Sequence, residues 1–555
     1  MSSIRLGDYL VERGLISSQQ LTTALQQQQR TGERLGRLLL IFGYIRRLDL
    51  ARALAALWGY PFATVDEKTV DATVAQRFPL DATLQYRAVP VRDDGAMVTV
   101  VVADAPPEAL SQTLNVVYPG RAIDYRVTTE WDLDRAIALA HRRKVVDTSI
   151  YGLYFRDQAE SAFTVFTLPQ YLTFALACFA LLAGFYLAPL QTLLVINVPI
   201  TGFFLLVVAF RTWVGVSGAS AETAISLTPE DLAAIDERAL PVYSILVPIY
   251  REAAVIKTLL KSLSELDYPA DKLDILLLFE EDDPETLAAA KAAAPGANVR
   301  FFVVPTGDPQ TKPKACNVGL LFARGEYLVI YDAEDQPEPD QLKKAYLAFR
   351  RGPEALVCVQ AALNYYNWNE NFLTRMFTLE YSFWFDYLLP GLDMLRLPIP
   401  LGGTSNHFKS QVLRDLGGWD PFNVTEDADL GIRAAMHGYR VGIINSTTYE
   451  EANKEVGNWI RQRSRWIKGY MQTALVFSRD PMALVKKVGL RQALGFGLLI
   501  GGTPLIFLIQ PVSIVLTIVW IATRTGVLDP IFPPVVLYLS LFNLLIGNAL
   551  AIYIN

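Results

Sequence analysis

No charged residue occurs between Glu160 and Arg211. A gap of that length accommodates two helical spans of roughly 20 residues each, and two consecutive spans form a hairpin that leaves both flanking segments on one side of a bilayer. The turn is expected near Pro189 to Pro199, because proline costs most in a helix interior and least at its ends. Further uncharged runs extend from Gln492 to Thr523 and from Ile531 to Asn555, so four spans are expected in all. Buried helices of a soluble protein are the competing reading, but soluble cores rarely continue this far without charge. His141-Arg142-Arg143-Lys144 and Arg211 flank the hairpin, and Lys486-Lys487 and Arg491 precede the third run. The positive-inside rule assigns those ends to the cytoplasm.

The first residues are polar and continue into a helical pattern, so no cleavable signal peptide is expected. Cys178, Cys316 and Cys358 have neither metal-binding nor disulfide spacing. A net charge of −6 argues against nucleic acid as a main partner.

The N-terminus contains a repeat. Arg5-Leu6-Gly7 opens a segment that continues through Gly14 and Leu21 to Gln28, and Arg34-Leu35-Gly36 opens another that continues through Gly43 and Leu50. The offset is 34 − 5 = 29 residues. Each half reads as two short helices joined at a glycine, with one apolar stripe. A packing or dimerisation module would have such a stripe. An Arg and a Gly opening both halves also suit a phosphate and a planar base.

This tandem pattern resembles the cyclic-di-GMP-binding N-terminal domain of type II secretion and pilus-extension ATPases, the MshEN domain. The resemblance implies that Arg5, Leu6, Gly7, Gly14 and Gln28 clasp one half of the dinucleotide, and Arg34, Leu35, Gly36 and Gly43 the other. The second motif closes with Leu57 where that family has Gln. Tyr60 to Ala140 alternates short strands (Ala96 to Val102) with helices (Trp131 to Ala140), the pattern of a small α/β subdomain completing the module.

From Pro241 the composition is that of an α/β domain. Val242 to Pro248, Asp274 to Phe279 and Tyr327 to Tyr331 are expected to be buried parallel strands separated by helices, with ligands at their carboxyl ends. Acids collect at those ends: Tyr250-Arg251-Glu252, Glu280-Glu281-Asp282-Asp283 and Asp332-Ala333-Glu334-Asp335. Thr425-Glu426-Asp427 follows, and then Gln462-Arg463-Ser464-Arg465-Trp466. Thr425 also suits an ordinary helix cap.

The array from Pro241 to Thr473 resembles the GT-A glycosyltransferases of family 2, in the processive membrane branch that includes cellulose, hyaluronan and poly-N-acetylglucosamine synthases. The resemblance implies a Rossmann-like α/β catalytic domain embedded in a transmembrane helical bundle. It implies nucleotide recognition by Glu280 or Asp282, with Glu252 alongside, and a diphosphate contact from Lys314. Asp332 and Glu334, in place of the family's Asp-x-Asp, imply a Mg²⁺ or Mn²⁺ site. Asp427 is the expected general base, with Thr425 and Glu426 beside it. Gln462, Arg465 and Trp466 match the Gln-x-x-Arg-Trp signature, with Arg on the diphosphate and Trp on the acceptor sugar. Pro400 to Asn406 falls where related synthases line the acceptor entrance, while the nearby His407 more often satisfies local hydrogen bonds.

The expected organisation is a regulatory domain at 1–145 (motifs 5–28 and 34–57, subdomain 60–140), a linker at 146–165, a transmembrane hairpin at 166–210 and a second linker at 211–236. A GT-A domain at 237–478, an interfacial helix at 479–491 and two spans within 492–555 follow. Phe372 to Leu395 also has the pattern of an interfacial helix. The chain ends inside an apolar run where related synthases carry further spans, so more spans or a partner are expected.

The function expected is an inverting synthase in the bacterial inner membrane, with cytoplasmic N-terminal and catalytic domains. It would extend a glycan acceptor from a UDP-sugar or other nucleotide-sugar donor, under cyclic di-GMP control, with periplasmic or outer-membrane export partners. A single-addition transferase acting on a lipid-linked acceptor and a silent receptor or secretion scaffold are the alternatives.

Overall fold

A computed structural model describes residues 5–220, 225, 227–523, 534 and 538. They belong to two compact units, one of Met1–Gly152 with Pro229–Ala333 and one of Leu153–Thr228 with Glu334–Asn555.

In the first unit the repeat folds as four helices, α1 (Leu6–Glu12), α2 (Ser18–Thr31), α3 (Leu35–Ile41) and α4 (Arg47–Trp58). The helix starts keep the sequence offset, since 35 − 6 and 47 − 18 are both 29. Gly14 and Gly43 both turn at φ +67°, which glycine adopts without a Cβ penalty. Leu10, Leu38, Leu39 and Leu50 form the shared core.

The subdomain that follows has β1 (Ala88–Asp93) antiparallel to β2 (Met97–Val102), and β2 parallel to β3 (Ala122–Val127). Val98, Val100 and Val102 of β2 point into a core with Leu110 and Leu114, the period-2 pattern of a half-buried strand. Helix Glu130–Ala140 closes the subdomain, capped by the Thr129 side chain.

Four further strands complete this unit: β4 (Tyr243–Ile249), β5 (Leu273–Glu280), β6 (Val299–Val304) and β7 (Tyr327–Ile330). They hydrogen-bond in the order β6-β5-β4-β7, all parallel. All eight residues of β5 are buried, as continuous apolar parallel strands require.

One guanidinium joins these parts. Arg300 of β6 is 3% exposed and donates from Nε and Nη2 to the two carboxylate oxygens of Asp274, at 2.9 Å each. Its Nη1 donates to Asp134 of helix Glu130–Ala140 at 2.8 Å. Asp134 also pairs with Arg87 at 2.8 Å and Arg324 at 3.5 Å. Burial alone would raise the Asp274 carboxyl, but Arg300 and Arg324 outweigh it and hold it below the ordinary range.

The second unit carries β8 (Gln336–Pro337), β9 (Leu356–Tyr365), β10 (Asn406–Lys409) and β11 (Arg440–Glu450). β9 pairs antiparallel with β10 and parallel with β11, which pairs antiparallel with β8. The chain therefore has the expected α/β fold, with mixed pairing.

Among the described residues, three helices are long and apolar enough to cross a membrane, Leu168–Leu187, Pro189–Ala219 and Leu490–Pro511. The expected fourth span at 531–555 lies outside the described residues. The hairpin turn is corrected. It falls at Ala188, and Pro199 lies inside the second helix, Pro189–Ser220. Pro189 begins that helix, where its missing N–H leaves no intrahelical bond unmade.

Helical structure from Phe372 to Met394 packs against this second helix without room for side chains. A Cβ on Gly218 would lie 1.8 Å from Tyr387 O, and one on Gly391 2.0 Å from Val214 O.

Arg300→Met would leave Asp274 buried without its main counter-charge. It is expected to lower stability by about 3–5 kcal/mol, measured by chemical denaturation of the detergent-purified chain; a loss below about 1 kcal/mol would show that the shared guanidinium is dispensable.

Candidate functional site

In the first unit the acids at the strand ends form two groups. In one, Glu280 at the end of β5 accepts from Lys314 at 2.9 Å, and Lys314 is wholly buried. Burial raises the Glu280 carboxyl although Lys314 opposes the shift. Gln310 bridges Glu280 at 3.3 Å and Asp282 at 2.8 Å, and the Tyr250 hydroxyl donates to Asp282 at 3.1 Å. Asp283 caps the helix Pro284–Ala292 and accepts from the backbone N–H of Arg251 at 2.5 Å. Arg251 itself sits at φ +58°, a left-handed conformation rare for a residue with a Cβ.

The other group joins β4 to β7. Burial and the neighbouring Asp332 raise the Glu252 carboxyl, and Lys312 opposes them. Lys312, two residues before Lys314, is the lysine that reaches Asp332, at 2.5 Å, and it remains partly exposed. Sequence reading placed Glu281 and Asp283 in the acid run without giving them a role and did not assign Lys312 or Gln310; the Lys312-Pro313-Lys314 pattern signalled a cation without saying which lysine turns outward.

In the second unit Asp427 lies in the first turn of helix Glu426–Met436 and is 7% exposed, with Glu426 beside it. Thr425 occupies the N-cap position, but its side chain makes no capping bond. Helix Val456–Phe477, which bears Gln462, Arg465 and Trp466, is pressed onto this turn. A Cβ on Gly469 would lie 2.4 Å from the Thr425 side chain and 2.6 Å from its N. Gln472 accepts from Val424 N at 3.0 Å and donates to Phe422 O at 3.1 Å, and Asn423 donates to Thr473 at 2.9 Å. The Pro400 to Asn406 loop approaches the same carboxylate, since a Cβ on Gly403 would lie 3.7 Å from Asp427 Oδ2.

The signature residues differ in setting. Gln462 accepts from Asn453 at 2.8 Å and lines a cavity of about 280 Å³ with Glu334, Tyr365, Glu450 and Glu451. Arg465 is exposed. Trp466 packs on Phe377 and Tyr381, with Arg463 over its ring at 4.6 Å. His407 is fully buried against Gln341 at 3.2 Å, and burial pushes its imidazole down to about 3, so it stays neutral and local.

Among the described residues no group of three or more His, Cys, Asp or Glu is placed to hold an ion. A Mg²⁺ ion that keeps waters and takes substrate phosphates needs only one or two carboxylates. Asp332, partly exposed at the end of β7, is of the right donor type.

The repeat's arginines occupy matching positions, Arg5 as N-cap of α1 and Arg34 as N-cap of α3. Arg5 is exposed, and Arg34 pairs with Asp104 at 2.8 Å. Leu6 and Leu35 pack across the repeat, 3.6 Å from a Cβ on Gly36 and 3.3 Å from one on Gly7. The Gln28 amide donates to Glu33 O at 2.9 Å.

Two outcomes follow from this geometry. Gly469→Ala forces Thr425 aside and is expected to lower the unfolding midpoint, at a cost of about 1–3 kcal/mol; an unchanged midpoint would mean that the two helices separate freely. The second concerns Glu281, which the Arg142 side chain holds down at about 2. Its contribution is present above the unfolded carboxyl value of 4.5 and is lost as pH falls towards 2. The difference in unfolding midpoint between wild type and Glu281→Gln should therefore be full at pH 6 and shrink on acidification; a constant difference would contradict the pairing.

Residues 327–549 match Glycosyl transferase family group 2, and residues 58–144 match the MshEN domain. The chain is 27% identical over 252 residues to "Probable glycosyltransferase YdaM" of Bacillus subtilis (strain 168), across 45% of this chain and 60% of that protein. It is 26% identical over 253 residues to "Probable glucomannan 4-beta-mannosyltransferase 7" of Oryza sativa subsp. japonica, across 43% of each. The chain thus spans less than two thirds of either relative. Among solved structures, it is similar to a mannosyltransferase from Pyrobaculum calidifontis in complex with GDP-Man and Mn²⁺, at 19% identity and TM-score 0.40, covering 64% of this chain and 99% of that one. The chain accordingly joins a segment that matches the MshEN domain to a segment that matches Glycosyl transferase family group 2.

Proposed function

We propose that this protein is a family 2 glycosyltransferase, an inverting synthase of the bacterial inner membrane with its N-terminal and catalytic parts cytoplasmic. It builds an exported polysaccharide from a nucleotide-sugar, a UDP-sugar in the first instance, and is switched on by cyclic di-GMP. The observation that carries the reading is the buried Asp427 turn, clamped by the Gln462–Trp466 helix at Gly469 and approached by Gly403. In-line displacement at the anomeric carbon needs a carboxylate fixed against the acceptor hydroxyl, and Asp427 takes that proton as the new bond forms. Glu426 and Thr425 hold the turn.

Glu252, Glu280 and Asp282 receive the nucleotide, and the ammonium groups at Lys312 and Lys314 offset charge on the leaving diphosphate. Arg465, Gln462 and Trp466 face donor and acceptor as their signature implies. Asp332 and Glu334 would hold a Mg²⁺ or Mn²⁺ ion, whose charge stabilises the same leaving group. The dinucleotide is taken by Arg5, Leu6, Gly7, Gly14 and Gln28 with Arg34, Leu35, Gly36 and Gly43, the tandem repeat that precedes the MshEN-matching residues 58–144. Export partners continue the path of the product.

The test is nucleoside diphosphate release by detergent-purified chain over a panel of UDP-sugars with Mg²⁺ or Mn²⁺, with and without cyclic di-GMP. A mannosyl donor joins the panel because two relatives are named as 4-beta-mannosyltransferases. Asp427→Asn is expected to lose at least about 100-fold in rate, and Arg5→Ala with Arg34→Ala to lose activation while keeping basal turnover. Silence with every donor, despite dinucleotide binding, would favour a receptor or secretion scaffold.

A further inference from the structure

The regulatory half of the first unit holds strand β5 at both ends. At the amino end Arg37 of α3, three residues after Arg34, donates from Nε to Asp271 O at 2.7 Å and from Nη2 to Leu273 O at 2.9 Å. One residue further on, Asp274 shares Arg300 with Asp134 of the MshEN-matching segment. At the carboxyl end Arg142 makes a two-pronged pair with Glu281, at 2.7 and 2.6 Å.

Glu281 lies between the two acids assigned to the nucleotide, Glu280 and Asp282. Its carboxylate also accepts from Thr306 N and Oγ1, both at 3.1 Å, and four residues later Gln310 bonds both Glu280 and Asp282. The helix that opens at Arg142 follows the same loop. A Cβ on Gly307 would meet Ile150 at 2.8 Å and Val146 at 3.0 Å, and Asn317 donates to Ser149 O at 2.9 Å. Arg142 therefore braces both walls of the acid group without touching either nucleotide-assigned acid.

We infer that Arg142 and Arg37 are positioning residues for the donor site, and that β5 is the element through which the N-terminal repeat acts on it. The inference rests on the proposed reading that Glu280 and Asp282 bind the donor nucleotide. A parallel strand buried along its whole length is stiff, so a shift of α3 at its amino end is passed to the acids at its carboxyl end rather than absorbed. A bidentate pair orients a carboxylate in a plane as well as attracting it, which is why lysine would be only a partial substitute at position 142.

The experiment compares wild type, Arg142→Ala, Arg142→Lys and Arg37→Ala as full-length protein in detergent. Arg142→Ala should raise the donor KM about tenfold while kcat changes less than about twofold, the pattern of lost ground-state positioning. Arg142→Lys should recover part of that loss. Arg37→Ala should bind cyclic di-GMP with unchanged affinity by calorimetry, yet show little of the activation. Hydrogen exchange supplies a readout independent of turnover. Cyclic di-GMP should alter protection of residues 281–283 and 306–310 in wild type, and Arg37→Ala should abolish that response. Wild-type donor KM and full activation in both alanine variants would overturn the inference. If no donor is turned over, the synthase reading fails on its own, and the exchange response alone decides whether β5 carries the signal.

Discussion

Arg300 is the side chain on which the first unit depends. A buried guanidinium costs several kcal/mol in lost hydration, and only near-complete hydrogen bonding in good geometry repays it. Here Nε, Nη1 and Nη2 all find oxygens, on Asp274, on Asp134 and on the Phe322 carbonyl. Asp274 in turn accepts from the Ser244 hydroxyl and from Arg324 N, so one ionic cluster holds β4, β5, β6 and the turn before β7 together. Because Asp134 belongs to the MshEN-matching segment, that segment is built into the foundation of the sheet rather than tethered beside it. Separating them would strand charges on both sides, a far greater penalty than parting two apolar faces.

The same economy of burial explains the division of work between neighbouring lysines. Lys312 and Lys314 stand in the first turn of one helix, roughly 200° apart around its axis, so they cannot face the same way. Lys314 points into the sheet and pairs with Glu280, opposing the rise that burial gives its carboxyl. Lys312 stays partly exposed against Asp332, where an arriving polyanion can compete for it. An inward lysine thus holds the acid group together, and an outward one remains responsive to ligand.

Those features separate what was legible in the chain from what was not. The 29-residue repeat, the apolar spans and the expected parallel strands rest on short-range periodicity, which one sequence carries in full; the repeat and the strands appear within a residue or two of their expected limits, while the span boundaries shift by up to about a dozen residues. The hairpin turn was misplaced because two prolines competed for it. Pro199 is accommodated inside its helix, while Pro189 takes the start, the position that needs no N–H. Long-range ion pairs had no signal at all. Nothing in His141-Arg142-Arg143-Lys144 distinguishes a residue that pairs with Glu281 from one that marks a membrane flank. Gly469 was equally silent, since a helical glycine announces a close approach but never names the partner.

The departure of the second motif, Leu57 in place of a closing Gln, coincides with a difference in what each motif end touches. Gln28 reaches forward five residues and caps Glu33 O, which fixes the short spacer just before Arg34. A Gln at position 57 would reach for the same offset, at Phe62 O. No third motif follows there. Pro61 O and Ala63 N are already bonded to Val127, and Phe62 bridges the same residue, so this stretch runs beside the end of β3. Trp58, Tyr60 and Phe62 pack on the subdomain core, so the chain leaves the repeat through apolar contacts. The first motif ends by positioning an arginine, and the second by docking on a sheet. The two motifs therefore end differently, the first on a side-chain amide that fixes the spacer and the second on apolar contacts with the subdomain.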